Sequence, residues 1–208
     1  MHSKAHATLT TAIGHAERLL EGTKTGRGKP SQKEVSMFVA SVVLTYGAWE
    51  GYVEDVAVEA NKFFATNATP AMVPSEARMD IESAKPTAWE LTLDPGWQEL
   101  WQRRVTVFAK GSPNDGPPFG INTADLKNVT NLFKRVGLDP WKPLTPADKT
   151  GITELVVQRG TVAHTGGTPT GFNKATARQH LDLVVRIVNL IDDSLADQLE
   201  TITGQRPW

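Results

Sequence analysis

A chain of 208 residues suffices for one domain with a sizeable core, and its 39% hydrophobic and 22% charged content is that of a globular protein. Lysine and arginine number 22 against 23 acidic residues, so a whole-molecule basic field that would gather nucleic acid is excluded; RNA or DNA binding would need a local basic patch. No window reaches the ~18 uninterrupted apolar residues of a membrane span, and the absence of cysteine excludes disulfides and thiolate metal sites, which suits a reducing cytoplasm.

The opening MHSKAHATLTTAIGHAERLL has a weakly basic start but no compact apolar stretch, and reads as part of the fold rather than a signal peptide. Leu9, Ile13, Ala16 and Leu20 predict a helix over roughly 7–21. EGTKTGRGKP (21–30) reads as an exposed turn, after which Ser31 and Glu34 form the signature of a capping box. The helix that follows carries the strongest pattern in the chain. Val35, Phe38, Val39, Val42, Val43, Tyr46, Trp49, Val53 and Val56 keep helical spacing, and the run to Phe64 is too long for a strand.

Residues 67–86, with Pro70, Pro74 and Pro86, read as a loop holding at most one short helix. Within 89–110, Asp94-Pro95 predicts a helix start and Trp97, Leu100, Trp101, Val105 and Phe108 an apolar stripe. GSPNDGPPFG (111–120) reads as a loop. Asn122 or Thr123 is expected to cap a helix through Val136, ended by Gly137. After a Pro-rich connector, a helix from about Pro146 carries Ile152, Leu155, Val156 and Val157; TGGTPTG (165–171) interrupts, and a last helix spans about Lys174 to Ile202. The expected architecture is therefore an all-α bundle of five to six helices, a single domain over 1–208 with a loop-rich insertion at about 67–120.

The phosphate-loop, dinucleotide, zinc-protease and nucleophile-elbow signatures are all missing, so any chemistry rests on polar side chains scattered over helices. His2 and His6 have the i,i+4 spacing of a metal pair but no third acidic ligand, and read as solvated residues of a frayed end. His15 and His180 read as surface or boundary histidines. Trp89, Trp97 and Trp101 offer surfaces for stacking bases, although the spacing of the last two favours core or subunit contact.

Arg159 and His164 stand apart because they bracket Gly-Thr-Val-Ala where a helix meets a glycine-rich segment. In an ideal helix, positions i and i+5 lie about 140° apart, so convergence needs a loosened turn at Gly160 or a His164 already in the loop.

Three stretches in order resemble the HEPN domain family, in its bacterial ribonuclease L-like branch. LTYGAWEGYVEDV (44–56) resembles the long early helix with its aromatic–Glu–aromatic pattern, and NVTNLFKRVGLDPW (128–141) the helix and turn before the motif helix. ELVVQRGTVAHTGG (154–167) is similar to the signature itself: an apolar run, arginine, four residues, histidine, then small residues. Gly160 departs from it, since the family often has a polar residue, commonly Asn, directly after the arginine.

The resemblance implies a metal-independent endoribonuclease in a defence or toxin–antitoxin setting. Its partners would be RNA, a second copy of the chain and an antitoxin or regulatory protein; no cofactor, metal or membrane is expected. His164 would exchange protons with a ribose 2′-OH or a 5′-oxygen, and Arg159 would stabilise the phosphorane with its charged fork. Glu50 would orient Arg159 or His164, and Tyr46 would touch RNA or supply a supporting hydrogen bond. A non-catalytic HEPN-like nucleotide-, RNA- or protein-binding module is the alternative.

Overall fold

The computed structural model describes residues 1–24, 29–83, 85–92, 96–112, 120–165 and 172–208. The Asp94-Pro95 start signal, most of the 111–120 loop and residues 166–171 lie outside the described residues. What is described is all-α: α1 (Lys4–Glu21), α2 (Gln32–Asn67), α3 (Ser75–Ser83), α4 (Ala88–Thr92), α5 (Gly96–Lys110), α6 (Leu126–Val136), α7 (Pro146–Thr165) and α8 (Lys174–Thr203), with a 3₁₀ turn at Pro70–Met72. No helix among the described residues is long and apolar enough to cross a membrane.

Everything is organised around α2, which at 36 residues is about 54 Å long and touches α1, α5, α6, α7 and α8. Its start is set by the reciprocal bonds of a capping box between Ser31 and Glu34. Buried residues are spread around much of its circumference, among them Phe38, Tyr46, Trp49, Tyr52 and Phe64, as expected of a helix wrapped by neighbours. Val43, read above as part of the core stripe, is instead 38% exposed, on the wall of an open groove between α1 and α2. One contiguous cluster of buried side chains links the layers from Ala5 in α1 to Leu199 in α8.

Two local expectations need correction. The helix ending at Val136 is capped by Asp125, whose carboxylate accepts from Asn128 N at 2.7 Å, and not by Asn122 or Thr123. Asn122 has φ +52, outside helical space, and both backbone groups of Ala124 are already bonded to side chains of α2. The far end behaves as expected: Gly137 takes the left-handed cap at φ +84, where an added Cβ would meet Pro74 at 2.6 Å.

The second concerns the histidine-bearing amino terminus, which is docked rather than frayed. The buried Asp192 carboxylate of α8 accepts from Ser3 N at 3.0 Å, from Ser3 Oγ and from Tyr52 Oη at 3.3 Å, with His2 Nδ1 at 3.2 Å. His6 Nε2 meets Asn189 at 2.7 Å, the His2 and His6 rings stack, and Glu59 accepts from the first free amides of α1. A carboxylate placed there by α8 could not be foreseen from the local sequence.

In the 67–120 segment α3 is the one short helix expected within 67–86 and α5 the amphipathic helix expected within 89–110; the short α4 ahead of α5 was not anticipated. Of the three tryptophans here, Trp101 is fully buried with its indole donating to Arg135 O at 2.8 Å, Trp97 is half-buried, and Trp89 is 73% exposed.

Candidate functional site

The geometry centres on Tyr46. It lies on α2 with 1% of its surface exposed, and its hydroxyl is used twice. It donates to Glu50 Oε1 at 2.7 Å, one turn along the same helix, and accepts from the Ala124 N–H at 3.0 Å. Three residues further along α2, Trp49 Nε1 donates to the Ala124 carbonyl at 2.9 Å. A single backbone unit ahead of α6 is thus clamped by two aromatic side chains of α2, which fixes the Tyr46 ring. Burial and the Glu50 carboxylate push the Tyr46 phenol well above its ordinary range, so it stays a protonated donor.

The Tyr46 ring itself receives Arg159 from α7, with the guanidinium carbon 4.8 Å from the ring centre. Such a contact is worth about 0.5–2 kcal/mol and fixes where the charge sits. Arg135, Arg178, Arg186 and Arg206 are all paired with carboxylates, whereas no carboxylate among the described residues pairs with Arg159. Its charge remains available to an anion.

His164 is placed differently. α7 is continuous from Pro146 to Thr165, so Gly160 does not loosen the turn and His164 is still helical. The two motif residues therefore lie about 7.5 Å apart along the axis and about 140° apart around it. Arg159 turns to α2, and His164 is exposed on the face it shares with the 60% exposed Val157, seven residues earlier. Of the expected site residues, Tyr46, Glu50 and Arg159 come together, and His164 does not join them within one chain.

Two features went unseen in the sequence. Glu54, one turn beyond Glu50, is pushed up to about 6 by burial and then by the Glu50 carboxylate, so it changes charge near neutrality. Its i,i+4 relation to Glu50 was the available signal. His180, read as a surface or boundary residue, is buried in α8, and its Nε2 meets Gln158 Oε1 at 2.9 Å. Burial lowers its basicity. The pair ties α8 to the residue directly before Arg159, in the stretch of α7 beyond Leu155 where no side chain described is fully buried. The signal was His180's helical spacing with Ala177 and Val184.

Among the described residues no group of three or more histidines and carboxylates is gathered as a metal site would require. Comparison with protein-family models, with curated proteins and with solved structures gives no match.

Proposed function

We propose that this chain is a HEPN-like, metal-independent endoribonuclease that cleaves RNA by attack of a ribose 2′-OH on the adjacent phosphorus. A base takes the 2′ proton, the 5′-oxygen leaves with a proton from an acid, and the product carries a 2′,3′-cyclic phosphate. The observation that carries the reading is Arg159: a guanidinium without a carboxylate partner among the described residues, held against the buried Tyr46 ring, on the helix that also bears an exposed histidine. A fixed cation of this kind stabilises charge developing on a phosphorane without reorganising first. Glu50, bonded to the Tyr46 hydroxyl, is the nearest supporting group in that network.

The divergence of Arg159 and His164 shapes the rest of the proposal. A two-fold axis beside α7 would bring His164 of one copy toward Arg159 of the other, and would supply the second proton-transfer group that one chain lacks. The working form is accordingly a homodimer, with RNA as substrate and an antitoxin or regulatory protein as restraint, in a defence or toxin–antitoxin setting in the cytoplasm. The same divergence favours the second reading, a non-catalytic HEPN-like module in which Arg159 holds an anion or partner and His164 is a surface residue.

The test is incubation of purified protein with mixed RNA, with and without chelator, followed by mapping of the cut ends. Cleavage that persists in chelator, leaves 2′,3′-cyclic or 3′-phosphate ends and disappears in both His164→Ala and Arg159→Ala supports the enzyme. Strict dependence on magnesium, or full activity in both variants, overturns it. RNA binding without cleavage selects the module.

A further inference from the structure

Between α4 with the residues before it and α5, a cleft of about 250 Å³ is lined by Lys85, Pro86, Glu90, Leu100, Arg104 and Val107, together with Arg103. Among the described residues, neither Lys85 nor Arg104 is paired with a carboxylate. The single carboxylate in the wall is Glu90. Its Oε2 is already engaged, accepting from Thr87 N at 2.7 Å and Thr87 Oγ1 at 2.8 Å, so it is turned to its own helix start. The cleft therefore has an excess of positive charge in a chain whose total is −1.

Two further observations single out this place. Trp89, the residue before Glu90, is the most exposed large aromatic of the described residues at 73%, and an indole left in water this way has a free π face. Lys85, one of the residues lining the cleft, has φ +49, a left-handed conformation that a lysine adopts only at a cost. Backbone strain of that sort tends to sit where a side chain must be presented to something.

We propose that this cleft and Trp89 form a binding site for single-stranded RNA, with Lys85 and Arg104 contacting phosphates and Trp89 stacking on a base. Cation pairs supply affinity without sequence preference, and an aromatic face accepts any base, so the site would hold substrate rather than select it. It is separate from the Tyr46–Arg159 cluster, which is built on the half of α2 nearer its amino end. The inference rests on RNA being the substrate, and gives a near-neutral protein the local basic patch that such a substrate requires.

The probe is a fluorescein-labelled single-stranded oligouridylate titrated by anisotropy, beside its 2′-deoxy counterpart, which cannot be cut by 2′-OH attack. Lys85→Ala/Arg104→Ala should weaken binding of both probes by about tenfold or more and reduce the salt slope by about two phosphate contacts. Trp89→Ala should weaken binding by about tenfold with the salt slope unchanged. Lys85→Ala alone, at an exposed side chain, should give an intermediate loss. Lys62→Ala/Lys142→Ala, which removes two cations elsewhere, should bind as the parent does. Wild-type binding of the deoxy probe lost in the cleft variants supports the site even if no RNA is cleaved, which would overturn only the enzymatic reading. Parent-like affinity in the cleft variants, or no binding of either probe by the wild type, overturns the proposal.

Discussion

Tyr46→Phe deletes one oxygen atom from the centre of the site and leaves the ring beneath Arg159 in place. Two hydrogen bonds disappear with it, the one accepted from Ala124 N–H and the one donated to Glu50. Ala124 is fully buried, so its amide finds no water in exchange, and an orphaned buried donor costs about 1–3 kcal/mol. Glu50 is half-buried and can recruit solvent, so its lost bond contributes about 0.5–1 kcal/mol. The expected loss is about 1.5–4 kcal/mol in urea unfolding followed by far-UV circular dichroism, at unchanged m-value. Tyr46→Leu should lose a further 0.5–2 kcal/mol or about that, because the cation–π contact goes as well. A double-mutant cycle with Glu50→Gln should return a coupling of about 0.5 kcal/mol or more between the two side chains. A loss below about 0.5 kcal/mol for Tyr46→Phe, or additive effects in the cycle, would refute the clamp as the device that holds the site.

Trp49→Ala should cost about 3–5 kcal/mol by thermal or urea unfolding, since the side chain is completely buried, packs near Trp141 and bonds Ala124 O; a loss under about 1 kcal/mol would mean that this face of α2 is not core. Glu54 has a folded pKa raised to about 6, so the folded chain binds its proton more tightly than the unfolded chain and stability falls as pH rises from the unfolded value through about 6. Glu54→Gln should therefore be more stable than the parent at pH 7 by a margin that vanishes near pH 4, read as the difference between two denaturation series; a margin independent of pH would refute the assignment. Mixing Arg159→Ala with His164→Ala subunits should restore part of the ribonuclease activity that each lacks alone, and light scattering should give the mass of a dimer. A monomer with full activity would sink the shared cleft. His180→Ala should loosen the end of α7, seen as faster amide exchange over 158–164 while exchange in the early turns of α7 stays slow; uniform protection would show that Gln158 needs no such tether.

Much of the helical framework was legible because its signals are short-range. Ser31 and Glu34 announce the start of α2, Gly137 the end of α6, and the spacing of Leu9, Ile13, Ala16 and Leu20 the buried face of α1; each depends on residues within a turn or two. The site was legible in part. Tyr46 and Glu50 could be paired from i,i+4 spacing, and Arg159 singled out by its motif, but nothing local joins α2 to α7. Where expectation failed, a distant group had intervened: Asp192 docks the amino terminus, and Tyr46 with Trp49 occupies Ala124 and moves the cap of α6 to Asp125.

Residue order alone determined that the chain is helical, that α2 is its longest apolar helix, and that arginine and histidine fall five positions apart on one later helix. Helical periodicity and capping are properties of neighbouring residues, and 3.6 residues per turn separate positions i and i+5 in any unbroken helix. Only the tertiary structure decided that the helix stays unbroken through Gly160, that Arg159 is laid on the Tyr46 ring while His164 faces outward, and that Glu54 and His180 are buried enough to change their proton affinities. Those outcomes depend on which surfaces meet across gaps of many tens of residues, and desolvation and side-chain stacking arise only once those surfaces have closed on one another.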